Sequence, residues 1–115
     1  MPETSAQSRI DNLWDDTKAA AMDEPGRLIY RSNLLGSDKH VTNYGGGNTS
    51  SKIWQKDPLT GENSEILWVK GSGGDLGTIK IAGFSTLYMD KLRGLGNLYR
   101  GADFEDEMVG YLPLC

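Results

Sequence analysis

Gly45-Gly46-Gly47-Asn48-Thr49-Ser50-Ser51 and Gly71-Ser72-Gly73-Gly74-Asp75-Leu76-Gly77 bound the stretch from Tyr44 to Gly77, and two strand-like segments with a turn lie between them. Glycine admits positive φ and lets a ligand come close to the backbone. Successive backbone N–H groups in such loops form anion-binding nests. Asn48, Thr49, Ser50, Ser51 and Ser72 add short polar side chains suited to phosphate oxygens. Glycine with Ser and Thr also builds ordinary turns. Repetition of the device at both ends of one hairpin-like unit favours the binding reading. A strand-turn-strand unit returns both loops to one end of the sheet. The expectation is that the loops face each other and hold a phosphate.

The strands are read from β-branched and aromatic residues. Thr49 to Lys56 has Ile53 and Trp54 as its apolar members, and Glu65-Ile66-Leu67-Trp68-Val69-Lys70 is apolar enough for a central strand. Asp57-Pro58-Leu59-Thr60-Gly61 is the turn between them.

Working outward, residues 1–7 read as disordered. Ile10, Leu13, Trp14, Ala20 and Ala21 recur at helical spacing behind Ser8. Asp23-Glu24-Pro25 opens a second helix with an apolar face of Leu28, Ile29, Leu34 and Leu35, and Gly36 stops it. After the second loop, Thr78-Ile79-Lys80-Ile81 reads as a short strand. Phe84, Leu87, Tyr88, Leu92 and Leu95 return to helical spacing. Asp103 starts a last helix, with Glu105-Asp106-Glu107 in its first turn and Phe104, Met108 and Leu112 facing inward.

At 115 residues the chain holds one domain at most, with a net charge of −4. That balance exerts no general pull on nucleic acid or anionic membrane, and no apolar run spans a bilayer. A single cysteine, Cys115, forms no internal disulfide and suits a reducing cytoplasm. The final residues grow more apolar where chains usually fray in polar residues, which reads as a domain cut in its middle. His40 is the only histidine, and one His with one Cys makes no zinc site.

Gly71–Gly77 follows a strand and fits a loose G-x-G-x-x-x-G. A dinucleotide loop should open a helix within a βαβ unit, and strand-like residues follow here. An NAD site at Gly71–Gly77 is therefore the weakest alternative. A Walker loop is excluded, since no Gly-Lys-Ser/Thr ends either run. Lys70 and Lys52 flank the loops and can neutralise a phosphate as point charges.

Val41-Thr42-Asn43-Tyr44-Gly45-Gly46-Gly47-Asn48-Thr49-Ser50-Ser51-Lys52, Leu67-Trp68-Val69-Lys70-Gly71-Ser72-Gly73-Gly74-Asp75-Leu76-Gly77 and Glu105-Asp106-Glu107-Met108-Val109 together resemble the N-terminal part of the class II aldolase/adducin family. Within it the likeness is to the branch of bifunctional rhamnulose-1-phosphate aldolase/alcohol dehydrogenases. The resemblance covers roughly residues 10–115. It implies an α/β fold, a three-layer α/β/α arrangement around a mixed sheet, of which residues 8–115 are the N-terminal portion. It implies zinc-dependent cleavage of a ketose 1-phosphate to dihydroxyacetone phosphate and an aldehyde. By it, Gly47, Asn48, Thr49 and Ser50 match one phosphate loop, and Ser72-Gly73 matches the second, flanked by Lys70 and Gly71. The family's zinc histidines and catalytic carboxylate have no counterpart in the matched segments, so no metal-binding or catalytic residue is assigned and the chain alone is expected to be inactive. The implied partner is a sugar phosphate, with zinc in the intact protein, NAD only through a following dehydrogenase domain, and a homo-oligomeric state. The adducin side of the family supplies the alternative of a non-catalytic binding module.

Overall fold

The computed structural model describes residues 12–43, 45–71 and 74–115. The chain divides into two compact units, residues 1–49 with 71–83, and residues 50–70 with 84–115.

In the first unit, helix α1 spans Asp16–Ala20 and helix α2 spans Glu24–Ser37. Ser8, the expected first cap, lies outside the described residues. Asp15 caps α1 instead, its carboxylate accepting the Thr17 and Lys18 N–H groups at 2.9 and 3.2 Å. Trp14, expected on the helix, precedes it and stacks on Tyr30 with ring centroids 5.0 Å apart. Helix α2 starts where the sequence places it. Asp23 accepts the Gly26 N–H at 2.8 Å, and Pro25 sits in the first turn, where its missing N–H costs nothing. The buried stripe of α2 is Leu28, Ser32 and Gly36, while Leu35 is exposed. Apolar periodicity alone picks a different face, because two of the three buried residues are small rather than apolar.

The expected strand at 78–81 is absent from its place. Leu76–Thr78 and Ile81–Gly83 each form a single 3-10 turn. The Asn33 side-chain amide donates to the Leu76 and Ile79 carbonyls, both at 3.2 Å, and so takes acceptors that a strand would offer to a ladder. Leu76 and Ile79 are buried.

The second unit is a three-stranded antiparallel sheet in the order β1-β2-β3, with β1 at Ser50–Lys56, β2 at Asn63–Lys70 and β3 at Phe84–Tyr88. The expected hairpin is present. Ser50 pairs with Val69, and Ile53 pairs with Ile66. Gly61 turns it at φ +75°. Strand β3 corrects the helical reading of Phe84 to Tyr88. It pairs Ile66 with Tyr88 and Lys70 with Phe84, and the open edge of β2 decides its conformation over the local spacing. Helix α3 is confined to Met89–Gly94, and α4 to Asp106–Val109. Phe104, expected inside, is exposed with the Arg100 guanidinium 4.0 Å over its ring. Leu112, also expected inside, is exposed.

Arg100 also donates to both Glu107 carboxylate oxygens, from Nε at 2.8 Å and from Nη2 at 2.7 Å. The guanidinium holds the Glu107 carboxyl below its ordinary value of 4.5. A carboxyl lowered in the folded state adds stability above the unfolded value and loses it as pH falls through the folded one. Glu107→Gln is therefore expected to reduce stability near neutral pH and to flatten the acid limb of a stability–pH curve below about 4.5. Thermal melts between pH 3 and 7 check this; identical curves for both proteins would refute it.

Candidate functional site

The hairpin register sets the first condition. Since Ser50 pairs with Val69, the loop entering β1 and the loop leaving β2 start at the same end of that hairpin. Within the first unit the loops then meet. The Gly45 N–H donates to the Asp75 carboxylate at 3.3 Å. A Cβ on Gly47 would stand 3.0 Å from Leu76 Cδ2 and 3.2 Å from Thr42 Cγ2. Gly47 also holds φ +90°, a conformation that glycine adopts without penalty.

Helix α2 carries both loops on Ser32, Asn33 and Gly36. Ser32 is fully buried (0 % exposed) and donates its single hydroxyl proton to the Leu28 carbonyl at 2.6 Å. Its Oγ also lies 2.6 Å from Thr49 Oγ1. With the Ser32 proton committed, Thr49 is the donor of that bond. Asn33 holds the Leu76–Thr78 turn as described above. Gly36 lies against the Gly77 backbone; a Cβ there would fall 2.0 Å from the Gly77 nitrogen. These three positions were not singled out by the sequence as site residues. The signal was present only as a polar pair and a glycine inside an otherwise apolar helix pattern.

The structure places the expected phosphate residues as follows. Gly47 and Thr49 are half-buried and Asn48 is exposed, all three on the first loop. Thr49 spends its proton on Ser32, which leaves it an acceptor toward a ligand. Gly71 donates its N–H to the Gly83 carbonyl at 2.9 Å. Ser72 and Gly73 lie outside the described residues. Ser50 and Lys70 belong to the second unit, where Ser50 opens β1 exposed and Lys70 closes β2 at 5 % exposure. Lys39 Nζ stands 3.6 Å from Asp75 Oδ1 and donates to the Gly36 carbonyl at 2.8 Å.

Among the described residues no three His, Cys, Asp or Glu side chains converge on one point. His40 is 79 % exposed on its side chain, and its ring nitrogen lies 3.0 Å from Asp38. The His40 N–H, followed by its ring, holds the Asp38 carboxyl below its ordinary value. One such pair on a surface turn does not fit a zinc ion, and no chemical step is derived through one. Grooves lined by Asn12, Trp14 and Leu35, and by Gln55, Trp68 and Tyr88, involve residues other than the glycine loops. Among the described residues no helix is long and apolar enough to cross a membrane.

No family model matches the chain. A Bacillus subtilis (strain 168) protein described as "uncharacterized oxidoreductase YuxG" is 46 % identical over 107 residues, which is 92 % of this chain and 15 % of that protein. The solved N-terminal class II aldolase domain of a conserved protein from Thermoplasma acidophilum matches with a TM-score of 0.73 and 36 % identity, over 90 % of this chain and 46 % of that one. The chain thus spans under half the length of either relative. The resemblance to the class II aldolase family holds against that solved domain, both in fold and in sequence identity.

Proposed function

We propose that residues 8–115 form the N-terminal, phosphate-binding part of a three-layer class II aldolase domain. In this reading the whole protein is a cytoplasmic, homo-oligomeric, zinc-dependent enzyme. It cleaves a ketose 1-phosphate resembling rhamnulose 1-phosphate into dihydroxyacetone phosphate and an aldehyde, with zinc held by residues other than those described above. The observation that carries it is the meeting of the two glycine loops, Gly45 on Asp75 and Gly47 against Leu76, in a chain similar to a class II aldolase domain. The Gly45 and Gly46 N–H groups are spent inside the loop region, on Asp75 and on the Asn43 carbonyl. A phosphate would be met by the Gly47 and Asn48 N–H groups and the Asn48 amide, with Ser72 and Gly73 from the second loop. Net charge −4 supports a small-molecule partner over nucleic acid.

The Bacillus relative is described as an oxidoreductase, which favours a second, redox activity in the whole protein; the dehydrogenase domain and its NAD are what the family resemblance adds. The Gly71–Gly77 loop itself suits NAD poorly. It leads to a 3-10 turn, and β2 and β3 are antiparallel, whereas a dinucleotide fold needs a helix and a parallel crossover there.

Calorimetric titration with dihydroxyacetone phosphate, with and without zinc, tests the main reading. Saturable binding without zinc is expected, and Asn48→Ala should weaken it by about 10- to 100-fold, the worth of one or two hydrogen bonds to a charged group. Binding unchanged by Asn48→Ala, or none to a folded wild-type protein, would reject the phosphate role of this loop.

A further inference from the structure

Asp75 is an acid inside a loop read as a phosphate cradle. A free carboxylate there would repel a phosphate, so its presence needs a reason. Its Oδ1 accepts the Gly45 N–H at 3.3 Å, across thirty positions of sequence, and lies 3.6 Å from Lys39 Nζ. The carboxylate is partly buried, with its side chain 27 % exposed. Lys39 is in turn fixed to the C-terminal turn of α2 through the Gly36 carbonyl at 2.8 Å. The next residue, Leu76, is buried, and Asn33 holds its carbonyl from α2. The described part of the second loop is therefore braced to α2, and Asp75 is the polar group that reaches from it to the first loop.

We propose that Asp75 is a positioning residue: it tethers the Gly45–Thr49 loop to the Gly74–Gly77 part of the second loop and so holds the Gly47 and Asn48 N–H groups where they receive a phosphate monoester. Lys39 offsets the acid's charge. The inference rests on the phosphate-binding reading above, and it assigns Asp75 no contact with the ligand.

Two substitutions separate position from charge. Asp75→Asn keeps an oxygen for the Gly45 N–H and removes the negative charge. Asp75→Ala removes both. A tether predicts that Asp75→Ala weakens dihydroxyacetone phosphate binding by about tenfold, while Asp75→Asn binds as tightly as wild type or tighter. An acid that only repels the ligand predicts tighter binding in both variants, and that result would overturn the proposal. Hydrogen exchange at the Gly45 amide, measured without ligand, reads the tether directly. Protection should be kept in wild type and Asp75→Asn and lost in Asp75→Ala; equal exchange in all three would also overturn it. A wild-type protein that protects Gly45 but binds no phosphate ester removes the phosphate reading, and with it the positioning role, while leaving the tether established. If the alanine variant does not fold, Asp75→Leu, which keeps the side-chain shape and offers Gly45 no acceptor, takes its place in both measurements with the same expected losses.

Discussion

Gly36→Ala is expected to destabilise the protein by about 3 kcal/mol, the upper end of what overpacking usually costs. Helix propensity argues the other way, since alanine is favoured over glycine by about 1 kcal/mol inside a helix. The contact decides the sign. A Cβ at position 36 would lie 2.0 Å from the Gly77 nitrogen, and 2.5 Å from both the Gly77 Cα and the Leu76 carbonyl carbon. All three are backbone atoms, so no side chain can swing aside. Relief requires α2 and the Leu76–Thr78 turn to part, which also breaks the Asn33 bonds to Leu76 and Ile79. Gly94, in α3, is the control. A Cβ there meets nothing within 4 Å. Gly94→Ala should be neutral or stabilising by up to about 1 kcal/mol. Urea melts of the two variants check the contrast. A Gly36→Ala protein as stable as wild type would show that α2 does not approach the second loop so closely.

Leu76→Ala is expected to cost about 2–5 kcal/mol, the range for a buried leucine reduced to its Cβ. Leu76 is 1 % exposed and is the buried apolar anchor of the second loop. It also abuts Gly47 on the first loop, so the substitution should loosen both. A double-mutant cycle exposes that link. Gly47→Ala alone brings a Cβ to 3.0 Å from Leu76 Cδ2 and forces alanine to φ +90°. With Leu76 truncated, part of the steric cost disappears while the backbone strain and the 3.2 Å approach to Thr42 remain. The two substitutions should thus be less than additive in equilibrium melts. Strict additivity would mean that the loops do not touch at this point.

What the sequence made legible follows the range of the forces involved. The β1–β2 hairpin was readable because its signals are local: apolar and aromatic runs around a Pro-x-x-Gly turn. The start of α2 was readable because Asp23 and Pro25 act within one turn of the helix. Strand β3 was not, since Phe84 to Tyr88 fit a helix by spacing and become a strand only by pairing with β2. The turns at 76–83 were missed because Asn33, more than forty positions away, claims their carbonyls. At the candidate site, the glycine loops were visible as composition. Their support was not. Ser32, Asn33 and Gly36 work by being small or polar in a helix whose apolar residues draw the eye, and Asp75 looked like one more loop acid.

The hairpin register has a kinetic consequence. Hairpins of this kind form in about 1–10 μs, before contacts that span longer stretches of chain. Once Ser50 sits opposite Val69, the segments leaving either strand begin as neighbours. The closure entropy of the intervening residues has then already been spent. Gly45 and Asp75 then meet at the end of a short search rather than across thirty free residues.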